Sequence, residues 1–378
     1  MKCSIKKTDI INMLANIQGI TGKKSSLAIT ENILIKTIDN GISVCATDIE
    51  TGFEGTYPAT IREDGEIAIN SRYFYEIVKK SGKETIFINE NKKQWIEITD
   101  LEDGSSLKFN IVGANTQEFP ELPKIKDVSY FEIEADLFRK MISWAVLVMY
   151  TGDEKRVHIL GADLECLQTD EGYKILMIST DGKRLTKTET NLNKKNKKGM
   201  EPGQQIIISK KALNEVQKFL YDKGKIGIGV KDNYFIVKKG NEIIYINLFS
   251  GNFPDLKPLF EAHDRFSIEI DRKNFKSMLE RMSILTTEDY KGVIFKFENN
   301  KLFINAANPQ KGESFEFIDI KYDKKTIETM FNPHYFIDAL NVIDEETIQL
   351  KIKDDQTPCI ICGKTNQTDI NIIMPMKI

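Results

Sequence analysis

Residues 178–185 read ISTDGKRL, and residues 45–52 read CATDIETG. In both stretches a Thr-Asp pair follows an apolar run, and the two aspartates are Asp181 and Asp48. Such a run is typical of a strand that leads into a turn, where an aspartate side chain binds nearby backbone N–H groups. The two aspartates are therefore either a pair of catalytic acids or one structural position that the chain uses twice.

An amphipathic helical pattern recurs three times along the chain, at intervals of roughly 120 to 140 residues. Apolar residues at i, i+3, i+4 and i+7 form one face of a helix. A short alternating run, typical of a strand, precedes each pattern: CSIK, FEIE and SIEI. The three apolar faces consist of Ile10, Met13, Leu14 and Ile17; of Phe138, Met141, Ile142 and Ala145; and of Phe275, Met278, Leu279 and Met282.

A second helical pattern also comes three times, in SRYFYEIVKK, SKKALNEVQKFL and NPHYFIDAL. Each begins at a good N-cap residue, which is Ser71, Ser209 or Asn332. A β-rich run follows each one: TIFIN, KIGIGV and TIQLKI. We therefore expect two helices and several strands in each of three units.

Two proline-containing joints, EFPELP and NFPDLKP, mark the ends of the first two units. The sequence thus predicts domains at 1–125, 126–256 and 257–378, each with two helices against antiparallel sheets, an α+β fold. The Thr-Asp pair follows the same period, and Ala307-Asn308 takes its place in the third unit. Equivalent positions in separate units favour a structural role, because a catalytic dyad needs its two carboxylates side by side.

The composition indicates no particular partner, since 53 Lys and Arg nearly balance 56 Asp and Glu. The N-terminus, MKCSIKKTDI, lacks an apolar core, so we expect no signal peptide and no membrane partner. Five scattered cysteines favour reduced thiols in a cytoplasm. The CIIC segment (Cys359 to Cys362) lies in a strand-like run that points its thiols to opposite faces, so we expect no metal there and no cofactor.

No assembled catalytic constellation is visible, and we expect no enzyme and no catalytic residue. The three histidines, His158, His263 and His334, are far apart in sequence and lack metal-ligand spacing. Phosphate-binding glycine motifs and the nucleophile motif GxSxG are also missing.

Basic residues collect on the predicted helices. They form either a solvated helix face or one layer that attracts phosphates without reading sequence, and the sequence leaves both open. No helix-turn-helix or RNA-type aromatic motif is visible. The candidate nucleic-acid-binding residues are Lys24, in a loop, and Arg72, Lys79, Lys80, Arg139, Lys140, Lys210, Lys211 and Lys218 on the predicted helices.

Four segments resemble the bacterial DNA polymerase III beta subunit family. STDGKRL resembles its ATDGHRL signature, and NFPDL resembles its second proline joint. FNPHYFIDAL is similar to its FNxxYLxDAL helix, and the terminal IIMPMKI to its VVMPMRL-type tail. The segments span the whole chain in order. The resemblance implies three repeated DNA-clamp domains per subunit and a head-to-tail dimer that closes a six-domain ring.

The implied function is that of a processivity factor, a sliding clamp that encircles duplex DNA without sequence specificity. Its partners would be a second copy of itself, the replicative DNA polymerase, the clamp loader, repair polymerases and mismatch-repair proteins. These proteins bind through apolar linear motifs, and the place of action would be the cytoplasm, at the nucleoid. The alternatives are a repeat-built scaffold that binds proteins without encircling DNA, and a nucleic-acid enzyme that uses Asp48 and Asp181.

The resemblance also implies a peptide pocket between the second and third domains. Lys183 stands where the family usually has His, and we assign neither Pro258 nor Glu261 to the pocket rim. The implied pocket walls are Ile159, Thr180, Gly182, Arg184, Leu185, Tyr290, Pro358, Ile372, Ile373, Met374, Pro375, Met376 and Ile378.

A dimer contact is implied by SILTTEDY, which resembles the family's interface helix. Ile284 and Leu285 would be its apolar residues. Their counterparts on the other subunit would be Phe109 and Ile111 in LKFNIV.

Overall fold

The structure is a computed structural model. Three of the predicted site residues, Lys24, Ile159 and Ile378, lie outside the residues that it describes. It describes residues 1–22, 27–91, 94–103, 107–149, 161–193, 199–249, 251–260 and 264–377, without the side chains of 193 and 257.

The chain contains two compact units that interleave in sequence. The first consists of Met1–Arg139, Leu192–Pro202 and Lys211–Phe249. The second consists of Lys140–Asn191, Gly203–Lys210 and Ser250–Ile378. The predicted second domain contributes to both units, so the three domain boundaries stay a prediction.

The first repeat forms eight strands and two longer helices, as its apolar periodicity predicts. Its elements are β1 (Lys2–Lys6), α1 (Lys7–Asn16), α2 (Gln18–Thr21), a 3-10 turn (Ala28–Glu31), β2 (Asn32–Ile38), β3 (Gly41–Thr47), β4 (Thr51–Glu63), β5 (Glu66–Asn70), α3 (Ser71–Lys80), β6 (Thr85–Glu90), β7 (Trp95–Thr99), β8 (Lys108–Val112) and a 3-10 turn (Thr116–Glu118).

The second repeat has the same succession of elements. They are β9 (Phe131–Glu134), α4 (Ala135–Val148), β10 (Gly161–Thr169), β11 (Gly172–Thr180), β12 (Arg184–Asn193), β13 (Gln205–Ser209), α5 (Lys210–Phe219), β14 (Lys225–Lys231), β15 (Tyr234–Lys239) and β16 (Glu242–Asn247).

The third repeat follows a short helix at the second proline joint. Its elements are α6 (Lys257–Phe260), β17 (Phe266–Asp271), α7 (Arg272–Ser283), β18 (Val293–Glu298), β19 (Lys301–Asn308), β20 (Gly312–Asp319), β21 (Ile327–Phe331), α8 (Pro333–Val342), β22 (Thr347–Ile352), β23 (Cys359–Gly363) and β24 (Ile370–Ile373).

The strands pair as two four-stranded ladders per repeat. One ladder runs β8-β7-β6-β1, and its equivalents run β16-β15-β14-β9 and β24-β23-β22-β17. The other runs β4-β3-β2-β5, β12-β11-β10-β13 and β20-β19-β18-β21. The strands of the described residues pair antiparallel within these ladders, which confirms the predicted α+β class.

Ladders from neighbouring repeats join edge to edge. In the first unit, β4 pairs with β16, and Thr51 lies opposite Ile246. In the second unit, β12 pairs with β24, and Arg184 lies opposite Ile373. The β12–β24 pairing gives a sheet of eight strands. In the first unit β4 also pairs with β1, so three ladders join into a sheet of twelve strands, while the β20 ladder remains a four-stranded sheet.

The predicted helix faces form the cores. On α7 the four apolar residues predicted from the sequence are all buried. Phe275 lies edge-on to Phe295 and Phe336, with ring centroids 6.3 and 6.2 Å away. Such edge-to-face aromatic pairs add to the stabilisation from burial alone. No helix in the part of the chain that the structure describes is long and apolar enough to cross a membrane.

One helix start differs from the prediction. Ser71 is not the N-cap of α3, because the side chain of Asn70 accepts the hydrogen bond from the Tyr73 N–H. Ser71 is buried within the first turn, and its hydroxyl accepts from Gln18 Nε2 at 2.9 Å. The predicted cap at Asn332 is correct, since its side chain accepts from the His334 N–H.

A buried hydrogen bond reinforces the joint between β4 and β16. The Tyr57 hydroxyl donates to Glu242 Oε1 at 2.6 Å, and both side chains are buried. Burial raises the pKa of the Glu242 carboxyl, although the hydrogen bond from Tyr57 acts in the opposite direction. The pKa of Tyr57 is also raised, by burial and by Glu242, so the phenol stays protonated.

The joint should therefore respond to pH. A carboxyl whose pKa is raised by folding binds protons more tightly in the folded state, so the free energy of unfolding falls as pH rises above 4.5. Glu242→Gln keeps an acceptor for Tyr57 and should flatten this dependence in urea titrations at several pH values. Tyr57→Phe removes the donor and should lower the free energy of unfolding by about 1–3 kcal/mol. An unchanged pH dependence in Glu242→Gln would contradict the assignment.

Candidate functional site

The Thr-Asp pair of the first repeat ends a strand and closes a turn. β3 ends at Thr47, whose Oγ1 accepts from the Ile49 N–H at 2.9 Å. Oδ1 of Asp48 accepts from the Thr51 N–H at 2.7 Å. The other carboxylate oxygen contacts Lys211 Nζ at 2.6 Å. Asp48 therefore holds a turn and an ion pair.

The pair in the second repeat makes the same bonds. Thr180 ends β11, and its Oγ1 accepts from the Gly182 N–H at 3.0 Å. Oδ1 of Asp181 accepts from the N–H groups of Lys183 and Arg184, each at 2.9 Å. Gly182 has a φ of +84°, a left-handed conformation that glycine adopts without strain.

Asn308 takes the equivalent place in the third repeat. Its Oδ1 accepts from the Gln310 N–H at 3.0 Å, and its Nδ2 donates to the Leu285 carbonyl at 2.9 Å. An amide thus fulfils the role of the two carboxylates. Asp48, Asp181 and Asn308 therefore occupy one structural position, which the chain uses three times. Among the described residues no group of acidic, His or Cys side chains could hold a metal ion.

The turn at Asp181 lies directly beside the end of the chain. β12 pairs with β24, with Leu185 opposite Ile372. Past the strand, the Met374 N–H donates to the Lys183 carbonyl at 3.0 Å, and the Met376 N–H donates to the Met330 carbonyl at 2.7 Å. The structure therefore brings together the two segments that the sequence predicted as opposite walls.

Arg184 organises the polar side of this site. Its guanidinium donates to Asp181 Oδ2 at 3.0 Å and to Asp338 Oδ2 at 2.6 Å. It also donates to the Leu147 carbonyl at 3.2 Å and lies 4.4 Å from the centre of the Tyr335 ring. A guanidinium held in this way has a fixed orientation.

Sequence reasoning missed Tyr335 and Asp338 as site residues. Both lie on α8, in the segment FNPHYFIDAL, at i and i+3, which places them on one side of the helix. Burial raises the pKa of the Tyr335 phenol, and the charge of Asp181 adds to the effect. The spacing was visible in the sequence, but nothing in it placed this helix beside Arg184.

An apolar cluster lies under the same strands. Its partly buried members come from the second proline joint and α6, which the sequence did not assign to a wall. Lys187 extends over the Phe260 ring, with Nζ 5.3 Å from its centre. The buried members are Ile178, Leu185, Ile360, Cys362, Ile370 and Ile372, and the partly buried ones are Phe253, Leu256, Leu259 and Phe260.

The remaining predicted walls differ in exposure. Met376 and Tyr290 are exposed, whereas Met374, Pro375 and Pro358 are half-buried. Pro375 and Met376 line a cavity of about 630 Å³, whose other lining residues are Glu328, Thr329, Asp355, Gln356 and Lys377.

The predicted DNA-binding residues that the structure describes all lie on helices α3, α4 and α5. Arg72 and Lys79 are exposed, and neither forms an ion pair with the residues that the structure describes. Lys80 is also exposed and contacts Glu76 at 3.5 Å. The α3 residues thus present most of their charge to solvent.

Several basic residues of α4 and α5 contact acidic neighbours. Arg139 pairs with Asp136, and Lys140 lies 3.6 Å from Asp369. Lys218 is exposed and pairs with the buried Glu215.

The first two residues of α5 differ in the direction of their pKa shift and in their contacts. Burial alone would lower the pKa of Lys211, but the contact with Asp48 raises it. Burial lowers the pKa of Lys210, and the charge of Arg184 adds to the effect. Lys210 Nζ donates to the Met149 carbonyl at 3.3 Å, which gives it a structural contact.

The predicted interface residues lie within β8 and directly after the end of α7. Phe109 is exposed and Ile111 half-buried on β8. The segment SILTTEDY was wrongly expected to be a helix: α7 ends at Ser283, and Ile284 is its C-cap. Ile284 is 69% exposed, whereas Leu285 is half-buried and packs against the core of the third repeat.

The CIIC segment lies within β23, and both of its thiols are buried. Burial raises the pKa of Cys359 to about 12, so its thiol is protonated at neutral pH. A thiol in this protonated state is a poor nucleophile.

Comparison with known proteins places the whole chain in one family. Models of the DNA polymerase III beta subunit match it three times in succession: the N-terminal domain at residues 1–123, the central domain at 132–255 and the C-terminal domain at 258–377. The chain belongs to the DNA polymerase III beta subunit family. This family consists of sliding clamps, which are non-catalytic processivity factors.

Individual relatives agree with the family. The beta sliding clamp of Chlamydia muridarum is 25% identical over 380 residues, covering 100% of this chain and 99% of the relative. The crystal structure of the Bacillus subtilis clamp has a TM-score of 0.91 at 24% identity and covers 100% of this chain and 99% of that one. A Bartonella birtlesii clamp, solved bound to griselimycin, has a TM-score of 0.90 at 20% identity and covers 100% of both chains.

Asp181→Asn tests the structural role of the Thr-Asp pair in this clamp. Asparagine keeps an acceptor for the turn but loses the charge that pairs with Arg184, so we expect the free energy of unfolding to fall by about 1 kcal/mol. Asp48→Asn is the matched variant, and its loss should be similar because it weakens the pair with Lys211. Urea denaturation measures both. Metal-dependent DNA cleavage that is present in the wild type and lost in either variant would contradict the structural assignment.

Proposed function

We propose that two copies of the chain close head to tail into a six-domain ring around duplex DNA. The observation that carries this is the succession of three clamp domains in one chain, each with the same two helices and two ladders. Head-to-tail association of identical subunits closes into a ring when the rotation fits. The ring would act at the nucleoid in the cytoplasm.

The proposed domains are 1–125, 126–256 and 257–378. The strand pairings between repeats support them, because each proposed domain holds one complete pair of four-stranded ladders. A ladder joined to its neighbour by main-chain hydrogen bonds is expected to move with it.

The proposed peptide site is the groove beside Arg184 and the chain terminus. It would hold the apolar motifs of the replicative polymerase, the clamp loader, repair polymerases and mismatch-repair proteins. Its support is the combination of an apolar cluster with a fixed guanidinium and with methionines, which adapt to different ligands. A pocket of this kind orients a ligand by a few polar groups and binds it by apolar contact.

The proposed DNA contact uses the exposed lysines and arginines of the helices. Phosphate contacts need no base reading, so the ring would slide freely along the duplex. Arg72, Lys79 and Lys80 on α3 are the best-supported residues, because their charges face solvent. Lys140 and Lys211 would contribute less, since acidic neighbours already balance them.

Ile284→Lys should convert the dimer into monomers. The side chain is 69% exposed, so the change leaves the core intact while placing a charge in the proposed contact. Leu285 is a poor test residue because it packs on the core. Sedimentation should give the 43.3 kDa mass of one chain for the variant and twice that for the wild type. A variant that still sediments as a dimer would refute the contact.

Charge reversal on α3 tests the DNA contact. Arg72→Glu, Lys79→Glu and Lys80→Glu together should lower clamp-loader-dependent loading onto nicked circular DNA several-fold and flatten its dependence on salt. The matched control reverses three exposed lysines outside the helices, Lys231, Lys238 and Lys324. Equal loading by the two triple variants would favour a protein-binding scaffold that does not use these helices for DNA.

Removal of residues 374–378 should abolish peptide binding and preserve the dimer. The deletion starts one residue after β24 ends and removes the bonds to Lys183 and Met330. Calorimetry with a short peptide that carries aliphatic or aromatic anchors should give micromolar affinity for the full chain, about −8 kcal/mol. Lys321→Ala, a change at an exposed lysine of the same repeat that does not line this cavity, is the control and should bind normally. Equal binding by the truncated and full chains would place the site elsewhere.

A further inference from the structure

In the first repeat, the proline-containing joint EFPELP covers one face of the β4 ladder. This face, called the outer face below, is the one opposite the buried core of the repeat. Phe119 of the joint packs against Leu34 on β2. A Cβ on Gly52 would lie 2.7 Å from Leu122 Cδ2, so this leucine lies directly over β4. The segment Phe-Pro-Glu-Leu therefore runs along the outer face with both apolar side chains in contact with it.

The second joint, NFPDLKP, covers the outer face of the β12 ladder in the same way. Phe253 and Leu256 pack against a cluster that includes Ile178. Ile178 stands two residues before the Thr-Asp pair, as Cys45 does in the first repeat, and Cys45 also packs against Phe119. A segment of phenylalanine, proline, an acidic residue and leucine thus covers this face in two of the three repeats.

The outer face of the β20 ladder, in the third repeat, is aromatic and exposed. Phe315 and Phe317 are 60% and 43% exposed. The Phe303 ring lies beside both, with its centroid 5.8 and 5.7 Å from theirs. Next to these rings the half-buried Ile294 and Met330 lie opposite one another on β18 and β21. An exposed apolar patch of this kind is typical of a binding surface.

We propose that the outer face of the β20 ladder binds an extended segment of another protein, with phenylalanine, proline, an acidic residue and leucine in succession. The chain itself shows the chemistry of this ligand, because its own two joints cover the equivalent faces of the other two repeats. The inference goes beyond the proposed peptide groove beside Arg184, since it concerns a different face and a different kind of segment.

The strand pairings give the place of the phenylalanine of this ligand. Phe119 packs in a cluster with Leu34 and Ala68, which lie opposite one another in β2 and β5. Ala68 stands two residues before the cap of α3, and Met330 stands two residues before the cap of α8. Met330 pairs with Ile294, so the phenylalanine of the ligand would lie beside these two side chains.

The proline and leucine of the ligand would lie over the aromatic rings. In the first repeat the joint and the outer face enclose a cavity of about 540 Å³, whose lining includes Ser43 and Glu54. By strand pairing, the equivalent positions in the third repeat hold Phe303 and Phe315. Aromatic rings at these positions offer apolar contact where the first repeat leaves a polar-lined space.

This difference between the repeats is expected if the third ligand belongs to another molecule. A joint is held beside its ladder by the chain, at a high effective concentration, and needs little contact energy to stay there. A segment of another protein has no such tether, so its affinity must come from contact with the face. The three phenylalanines of the third repeat supply that contact, because aromatic side chains bury large apolar areas.

The charges of the face favour a peptide over a nucleic acid. Acidic side chains outnumber basic ones on it, which would repel a phosphate backbone. Lys296 contacts Glu298 at 2.7 Å, and Lys301 Nζ lies 3.9 Å from the centre of the Phe317 ring. Both joints carry lysine after the leucine, which suits an acidic face. The charged residues that point out of this face are Glu298, Glu313, Asp319, Glu328, Lys296 and Lys301.

The face stays accessible when the edge of its sheet is paired. Side chains such as Phe303 stand perpendicular to a sheet, whereas an edge strand offers its main-chain groups within the plane of the sheet. The whole face also belongs to the second compact unit. Binding therefore needs only one chain, and its test does not depend on the closure of a ring.

A synthetic peptide with the sequence of residues 117–126, QEFPELPKIK, tests this site on the full-length protein. Its binding is measured by the fluorescence anisotropy of a labelled peptide. The control peptide carries Phe119→Ser and Leu122→Ser, which remove both anchors and keep the prolines and charges. The wild-type protein should bind the first peptide about tenfold more tightly than the control peptide. Equal binding of the two peptides would overturn the proposal.

Protein variants locate the peptide on the aromatic face. Phe315→Ser and Phe303→Ser should each weaken binding about tenfold. The first changes a largely exposed side chain, so the fold is kept even if the second variant is less stable. Phe266→Ser is the matched control at an exposed aromatic residue of β17, in the same repeat, and should bind as the wild type does. Undiminished binding in both Phe315→Ser and Phe303→Ser would refute the site, including the case in which the peptide displaces a joint.

A variant of the groove beside Arg184 separates the two peptide sites. Phe260→Ser alters the apolar cluster of that groove and should leave the binding of QEFPELPKIK unchanged. Binding that is lost in Phe260→Ser and kept in Phe315→Ser would place the peptide in the groove and overturn the proposal. The failure of the groove itself, tested by removal of residues 374–378 with its own peptide, leaves this result standing.

Two other occupants have their own readouts. A labelled dT oligonucleotide that binds the wild type and not Phe315→Ser, while the peptide binds neither, would assign the face to single-stranded DNA. Assemblies larger than a dimer that sediment in the wild type and disappear in Phe315→Ser, again without peptide binding, would assign it to a further copy of this chain. Either result overturns the proposed ligand.

Discussion

Main-chain pairing between ladders of successive repeats is the constraint on which the rest of this structure depends. Where β4 meets β16, and where β12 meets β24, hydrogen bonds of one repeat continue into the next. These pairings fix the register of the repeats, because a slip of one residue would turn every side chain to the opposite face. At the second joint, the same pairing sets Arg184 beside the end of the chain.

The Thr-Asp turn stands at the start of each joining strand and sets where the pairing begins. In the first two repeats a carboxylate accepts from the N–H three residues later. In the third an amide accepts from the N–H two residues later, within a turn that is one residue longer. A motif that resembles a pair of catalytic acids in sequence is thus a turn that precedes a strand. In the second repeat the same turn holds Arg184. In the third it leads into β20, which is an end strand of its sheet.

The sequence allowed the repeats, most helices and the α+β class to be predicted, because periodic burial leaves a local signal. It did not reveal that Asn70 caps α3, since Asn70 and Ser71 are both good caps and only packing against Gln18 decides between them. The resemblance of SILTTEDY to a helix of the family placed Ile284 on a helix, whereas α7 ends at Ser283, one residue earlier. Sequence reasoning missed Tyr335 and Asp338, whose role depends on strands paired far apart in sequence. Long-range pairing of this kind leaves no local pattern to read.

The buried cysteines have a consequence for how this protein tolerates oxidants. Burial raises the pKa of Cys3 and Cys45 to about 11 and that of Cys359 to about 12. Oxidation by peroxide and alkylation both require the thiolate, whose fraction at neutral pH is on the order of one part in ten thousand or less at such values. These three sulfur atoms are therefore protected from reactions that require a thiolate.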